Sequence, residues 1–150
     1  MNYTNKNQSE ELIKYGLSPE TSDMALLGED IIPYNFCKCQ TPDLAVPIWS
    51  LSRLLMFLPR TIIKETEIGK LSFTWVMCPW DGSKTERYAV SYIDLDRETP
   101  LWTTYGSTYI EAVLKMIIKL LENHYIDGKE KKEKEAIFIT EINRSHKERK

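Results

Sequence analysis

The strongest pattern in the chain is an apolar stripe at helical spacing. Ala112, Val113, Met116, Ile117, Leu120, Leu121 and Tyr125 fall on one side of a helical wheel, behind Thr108 and Glu111 at the spacing of a capping box. Lys115, Lys119 and Glu122 lie off the stripe, so the pattern predicts a long helix with one face in water. Upstream the period changes to two. Leu71, Phe73, Trp75 and Met77 alternate with Ser72, Thr74, Val76 and Cys78, which predicts a half-buried strand. Asp81 and Gly82 supply turn chemistry, and Tyr88, Val90 and Tyr92 then alternate with Ala89, Ser91 and Ile93 to complete a hairpin. Leu101 to Tyr105, rich in threonine and aromatics, reads as a third strand after the Glu98 to Pro100 turn.

The first third of the chain gives shorter signals. Met1 to Gln8 is polar and unpatterned, and is expected to fray as chain ends do. Ser9 is the expected cap of a short helix with Glu10 and Glu11 in its first turn, Leu12, Ile13 and Tyr15 on its apolar face, and Gly16 as a left-handed stop. Ser18 and Pro19 start a single turn through Asp23. Leu27 to Pro47 contains Gly28, Pro33, Pro42 and Pro47 without a sustained period, which predicts a long irregular connection and the first place to look for a binding surface. Ser50 caps a helix carrying Leu51, Leu54, Leu55 and Leu58, ended by Pro59. Gly128 and the charged run Lys129 to Glu135 mark the expected end of the core. Ala136 to Ile142 is apolar and β-branched enough for a late strand or a partner contact, while its charged flanks fit a loosely attached segment equally well; these readings stay open.

Together these elements predict an α+β fold with short N-terminal helices, a three-stranded antiparallel meander and a long C-terminal helix packed across the sheet. Residues 1–126 form the expected single domain and residues 127–150 a charged C-terminal extension. A chain of 150 residues can hold one core without staples. With 42% hydrophobic and 28% charged residues the composition is ordinary for a globular protein. The longest apolar stretch, Ala112 to Leu121, is interrupted by two lysines and is too short to span a bilayer. No secretory signal opens the chain, and three cysteines make a poor disulfide framework, so a cytoplasmic setting is expected. The net charge of −2 divides unevenly: Asp127 to Lys150 holds eight Lys or Arg against six acidic residues, leaving Met1 to Ile126 at −4. An acidic body is poorly matched to nucleic acid, and only the basic tail end, Arg144 to Lys150, offers a weak patch.

Candidate chemistry is sparse. Cys37 and Cys39, with Cys78 and either His124 or His146, supply the residue types of a zinc site but only one tight pair, so three unligated thiols are expected and no metal. Neither histidine sits in a catalytic motif, and no phosphate-cradling or dinucleotide-binding glycine pattern is present, so no catalytic residue and no cofactor is assigned. Asp94 with Asp96, or Glu65 with Glu67, can be drawn as acid and base, and a small hydrolase with a carboxylate site beside the Leu27 to Pro47 loop is the alternative reading. Aromatics give the better signal. Trp75, Trp80, Tyr88, Tyr92, Trp102 and Tyr105 all lie on the predicted strands, and one helix covers one face. Trp80, Tyr92 and Trp102 are the candidate partner-binding residues, against the simpler reading that the early helices cover the second face.

Three segments carry a resemblance: LIKYGLSPETSDM from Leu12 to Met24, VPIWSLSRLLMFL from Val46 to Leu58, and EAVLKMIIKLLENHYI from Glu111 to Ile126. In this order they resemble a family of small uncharacterised proteins from prophages and mobile elements of gut Bacteroidetes. The charged extension after Asp127 departs from that family. The resemblance implies no activity; it implies a setting, mobile DNA in a bacterial cytoplasm. The expected function is that of a non-catalytic protein-binding module, with a protein partner, no membrane contact, and a homo-oligomer compatible with the sequence.

Overall fold

In the computed structural model the residues described are 2–35, 45–129 and 133–140. From Asn2 onward the N-terminal residues are held rather than frayed. Asn5 caps helix α1 (Lys6–Lys14) by accepting from the Gln8 amide, and Gln8 returns the bond to the Asn5 amide, a full capping box four residues before the expected cap. Ser9 lies inside the helix, buried, with its hydroxyl 2.8 Å from that of Thr4. Thr4 in turn donates its amide to the Trp49 carbonyl and accepts the Trp49 amide, so residues before Ser9 close onto the middle of the chain. Gly16, at φ +113°, ends α1: its amide reaches the Ile13 carbonyl and that of Leu17 reaches Leu12.

After a 3-10 turn at Pro19–Thr21, the segment predicted as an irregular connection forms strands. Strand β1 (Met24–Leu27) lies between β2 (Asp30–Pro33) and β3 (Val46–Ile48), both antiparallel to it, in a small three-stranded sheet. Of the prolines that argued against strands, Pro33 ends β2 and Pro47 is the middle residue of β3, both short edge strands where a missing donor is tolerated. Residues 36–44 of that connection lie outside the described residues. Ser50 caps α2 (Leu51–Leu55), which is shorter than its apolar spacing suggested, although Leu58 beyond its end is still fully buried.

A five-stranded sheet follows, in the order β7-β6-β5-β4-β8. Its strands are β4 (Thr61–Thr66), β5 (Gly69–Pro79), β6 (Tyr88–Asp94), β7 (Thr99–Gly106) and β8 (Ala136–Thr140). The expected three-stranded meander is its β5–β6–β7 part. Strand β4, which has no counterpart in the sequence pattern, hairpins onto β5, and of the open readings of Ala136 to Ile142 the strand is the one found, as β8 parallel to β4 with Ile62 opposite Ile137. The core therefore continues past Gly128, because Ile137 belongs to it. Gly128 is itself a packing point. Its carbonyl accepts from the Ser18 amide, and a Cβ there would overlap the Gly16 carbonyl.

Helix α3 (Tyr109–Glu122) runs along β6 and β7, with the Thr104 hydroxyl donating to the Ala112 carbonyl at 2.7 Å. Its N-cap is Thr108, but Glu111 does not return the bond to that residue. The carboxylate instead accepts from the hydroxyl and amide of Ser107, which holds it below the usual carboxylate range. Nine of the 14 residues of α3 are buried, more than one stripe can account for. The surplus is explained by α1 and α2, which pack on the other side of α3 rather than on the sheet's second face. The layers are thus sheet, α3, and the N-terminal elements. No described helix covers the opposite face of the five-stranded sheet, where Ser72, Thr74, Cys78 and Phe138 are exposed.

Candidate functional site

Strand parity assigns each aromatic to one of the two faces. Tyr92 pairs across β6 with Trp75 and Trp102, on the side that α3 covers. It is fully buried, its hydroxyl donates to the Pro59 carbonyl at 2.7 Å, and burial pushes its pKa far up. Tyr92 is therefore a core residue and not a partner anchor. Trp102 is half-buried: Tyr125 stacks on it with centroids 5.5 Å apart, and the Lys119 ammonium lies 5.4 Å from its ring centre. Its contacts are made within the molecule.

Trp80 differs. It follows β5 on the uncovered face, 41% exposed, and meets Tyr105 of β7 at 5.1 Å between ring centres. Its amide donates to the Arg87 carbonyl, which closes the loop between β5 and β6, and its ring lies directly against the Gly82 backbone. These contacts hold the indole in one place while leaving part of it open. Around it Pro79, Trp80, Asp81, Ser83, Lys84, Arg87 and Tyr88 border an open hollow of about 350 Å³. Glu86 of the same loop is paired with Lys115 at 3.8 Å, and Lys115 also with Glu111 at 3.4 Å. Lys84 and Arg87 are exposed and have no ion pair among the described residues.

In comparison with known proteins, no family model, no curated protein and no solved structure matches the chain.

The remaining candidates do not assemble. Among the described residues no group of three or more His, Cys, Asp or Glu gathers as metal ligands would. Cys78 is exposed on the uncovered face, while Cys37, Cys39 and His146 lie outside the described residues. His124 is exposed at the C-terminal end of α3 with φ +58°, and its place is that of a backbone stop. Asp94 accepts the amides of Asp96 and Arg97, so it braces the β6–β7 turn rather than facing Asp96 as an acid and base would. Glu67 stands in the turn between β4 and β5, and Glu65 opposes Lys70 across that hairpin. A second hollow, of about 470 Å³, is bordered by Arg60, Thr61, Thr74, Trp75 and Glu133. Its charges satisfy each other, with Arg60 donating to both Glu133 oxygens at 3.0 and 3.4 Å, and that pairing raises the Arg60 pKa.

Two features of the Trp80 hollow were not picked out from sequence: the cations Lys84 and Arg87, and the pairing of Trp80 with Tyr105. The second was within reach. Trp80 has the parity of Thr74 and Cys78, and Tyr105 faces Ala89, so the alternation that separates Phe73 from Thr74 also separates Trp80 from Tyr92.

Proposed function

We propose that the protein is a non-catalytic binding protein that docks a protein partner on the uncovered face of its five-stranded sheet, anchored at the Trp80–Tyr105 corner. The observation that carries this reading is a rigidly held, partly open tryptophan beside a tyrosine and an arginine, on a face no described helix covers. Tryptophan, tyrosine and arginine are the side chains that most often dominate protein interfaces; the two aromatics bring a large area at small entropic cost, and arginine brings a planar fork of donors. Phe138 of β8 is also exposed on that face, at 71%, in register with Ile63 and Ser72 and away from the Trp80 corner. The resemblance to prophage and mobile-element proteins supplies a setting: a bacterial cytoplasm and a partner encoded by the host or the element. No helix among the described residues is long and apolar enough to cross a membrane.

The test is affinity capture from a Bacteroidetes lysate with the wild-type chain and with Trp80→Ala in parallel, each checked for unchanged thermal unfolding. A defined protein retained by the wild type and lost from the variant is the expected result. Retention of the same proteins by both would remove Trp80 from the reading, and no retained protein would remove the docking reading itself.

A further inference from the structure

We infer that the segment recognised in the Trp80 hollow is an acidic peptide, with an apolar side chain against Trp80 and Pro79 and flanking carboxylates on Lys84 and Arg87. This rests on the docking reading above and names the chemistry of the partner. The charge count at the hollow is the first support. The charged groups that border it are Lys84, Arg87 and Asp81, one net positive charge on a chain that carries −2 overall, while Glu86, outside the lining, lies 3.8 Å from Lys115. Two cations left unpaired on an acidic protein complement a carboxylate-bearing ligand and steer its approach.

Size and shape are the second support. A hollow of about 350 Å³ stands at the lower end of ligand pockets, roughly 300–1,000 Å³, which suits one large side chain with its neighbours. Its openness to solvent fits a chain crossing it rather than a small molecule enclosed by it. The wall also argues against a nucleic acid. The Trp80 ring is already packed against Gly82 and Tyr105, where a stacking base would need free ring surface. An apolar side chain needs only the exposed part of the indole.

The experiment is an NMR titration of the full ¹⁵N-labelled chain, following the Trp80 indole N–H. The probe is a blocked peptide with one phenylalanine flanked on each side by glutamates; the controls are the same peptide with glutamines and a short oligothymidylate. The glutamate peptide is expected to move the Trp80 signal, to bind about tenfold more tightly than the glutamine peptide, and to lose about tenfold on Lys84→Gln with Arg87→Gln. Those two side chains are exposed, so the variant keeps the fold and its spectrum reports that directly. Equal binding of the two peptides would overturn the inference, as would oligothymidylate moving the Trp80 signal at lower concentration than either. If lysate capture depends on Trp80 while the glutamate peptide leaves the indole unmoved, only the acidic chemistry falls; if capture fails as well, the docking reading falls with it.

Discussion

Two aromatic groups stand on opposite faces of one sheet and meet different fates. Tyr92 and Trp102 lie under α3, where Pro59, Tyr125 and Lys119 use their polar and π surfaces. Trp80 and Tyr105 lie on the other face, near the loop between β5 and β6, and part of Trp80 is left open beside two unpaired cations. The side chains are of the same kind. What separates them is cover: α1 and α2 add to the far side of α3, so the described helices all sit on one side of the sheet. Composition alone therefore says little about which aromatics bind, and strand parity together with helix placement says a good deal.

The sharpest way to break this comparison is to truncate one residue of each group. Tyr92→Ala should cost about 3–5 kcal/mol, the usual range for emptying a buried aromatic site, measured as a shift in the urea midpoint. Trp80→Ala should cost no more than about 1 kcal/mol while abolishing partner capture. Equal losses of stability would mean that Trp80 belongs to the core.

Alkaline pH separates the groups by titration. Burial raises the Tyr92 pKa in the folded state, so its contribution is fully present below the ordinary tyrosine value of about 10 and is lost as pH rises beyond it. Stability measured above that pH should fall with a slope that Tyr92→Phe reduces. The same substitution should lower stability near neutrality by about 1 kcal/mol, through loss of the bond to the Pro59 carbonyl. An unchanged alkaline slope would contradict the buried environment of Tyr92.

A smaller effect lies beside Tyr125, which stacks on Trp102. Helices α1 and α3 end in the same backbone motif, one with Gly16 in the left-handed position and the other with His124. His124→Gly should raise stability by about 0.5–1 kcal/mol in thermal melts, because glycine adopts that conformation without the penalty a side chain carries. The smallest effect is expected at the hollow. Lys84→Ala with Arg87→Ala should change stability by no more than about 0.5 kcal/mol, since neither side chain makes an ion pair among the described residues.

The same contrast explains what was legible in the sequence. Long periodic elements were: α3 from its stripe, β5 and β6 from alternation, Gly16 from its helix-ending position. Short elements defined by distant partners were not. Strand β4 has a mixed pattern because only Ile62 is fully buried, and β1 to β3 acquire strand identity from pairing with each other. Strand β8 is apolar enough to read either way, and its place is decided by β4, whose register with it no local signal encodes. The N-terminal residues differ from expectation for a related reason: the polar segment around Thr4 reads as a frayed end and Ser9 as a cap, yet the two hydroxyls satisfy each other inside the fold and Thr4 accepts the Trp49 amide. Of the candidate site, Trp80 was readable, whereas the pairing of Glu86 depends on Lys115, which is remote in sequence.

The most direct test of the uncovered face is site-specific photo-crosslinking in living cells. A benzoyl-phenylalanine at position 84 should give a discrete heavier conjugate, and the same group at position 122, on the exposed end of α3, should give none. Conjugates of equal yield from both positions, or none from position 84, would contradict the account.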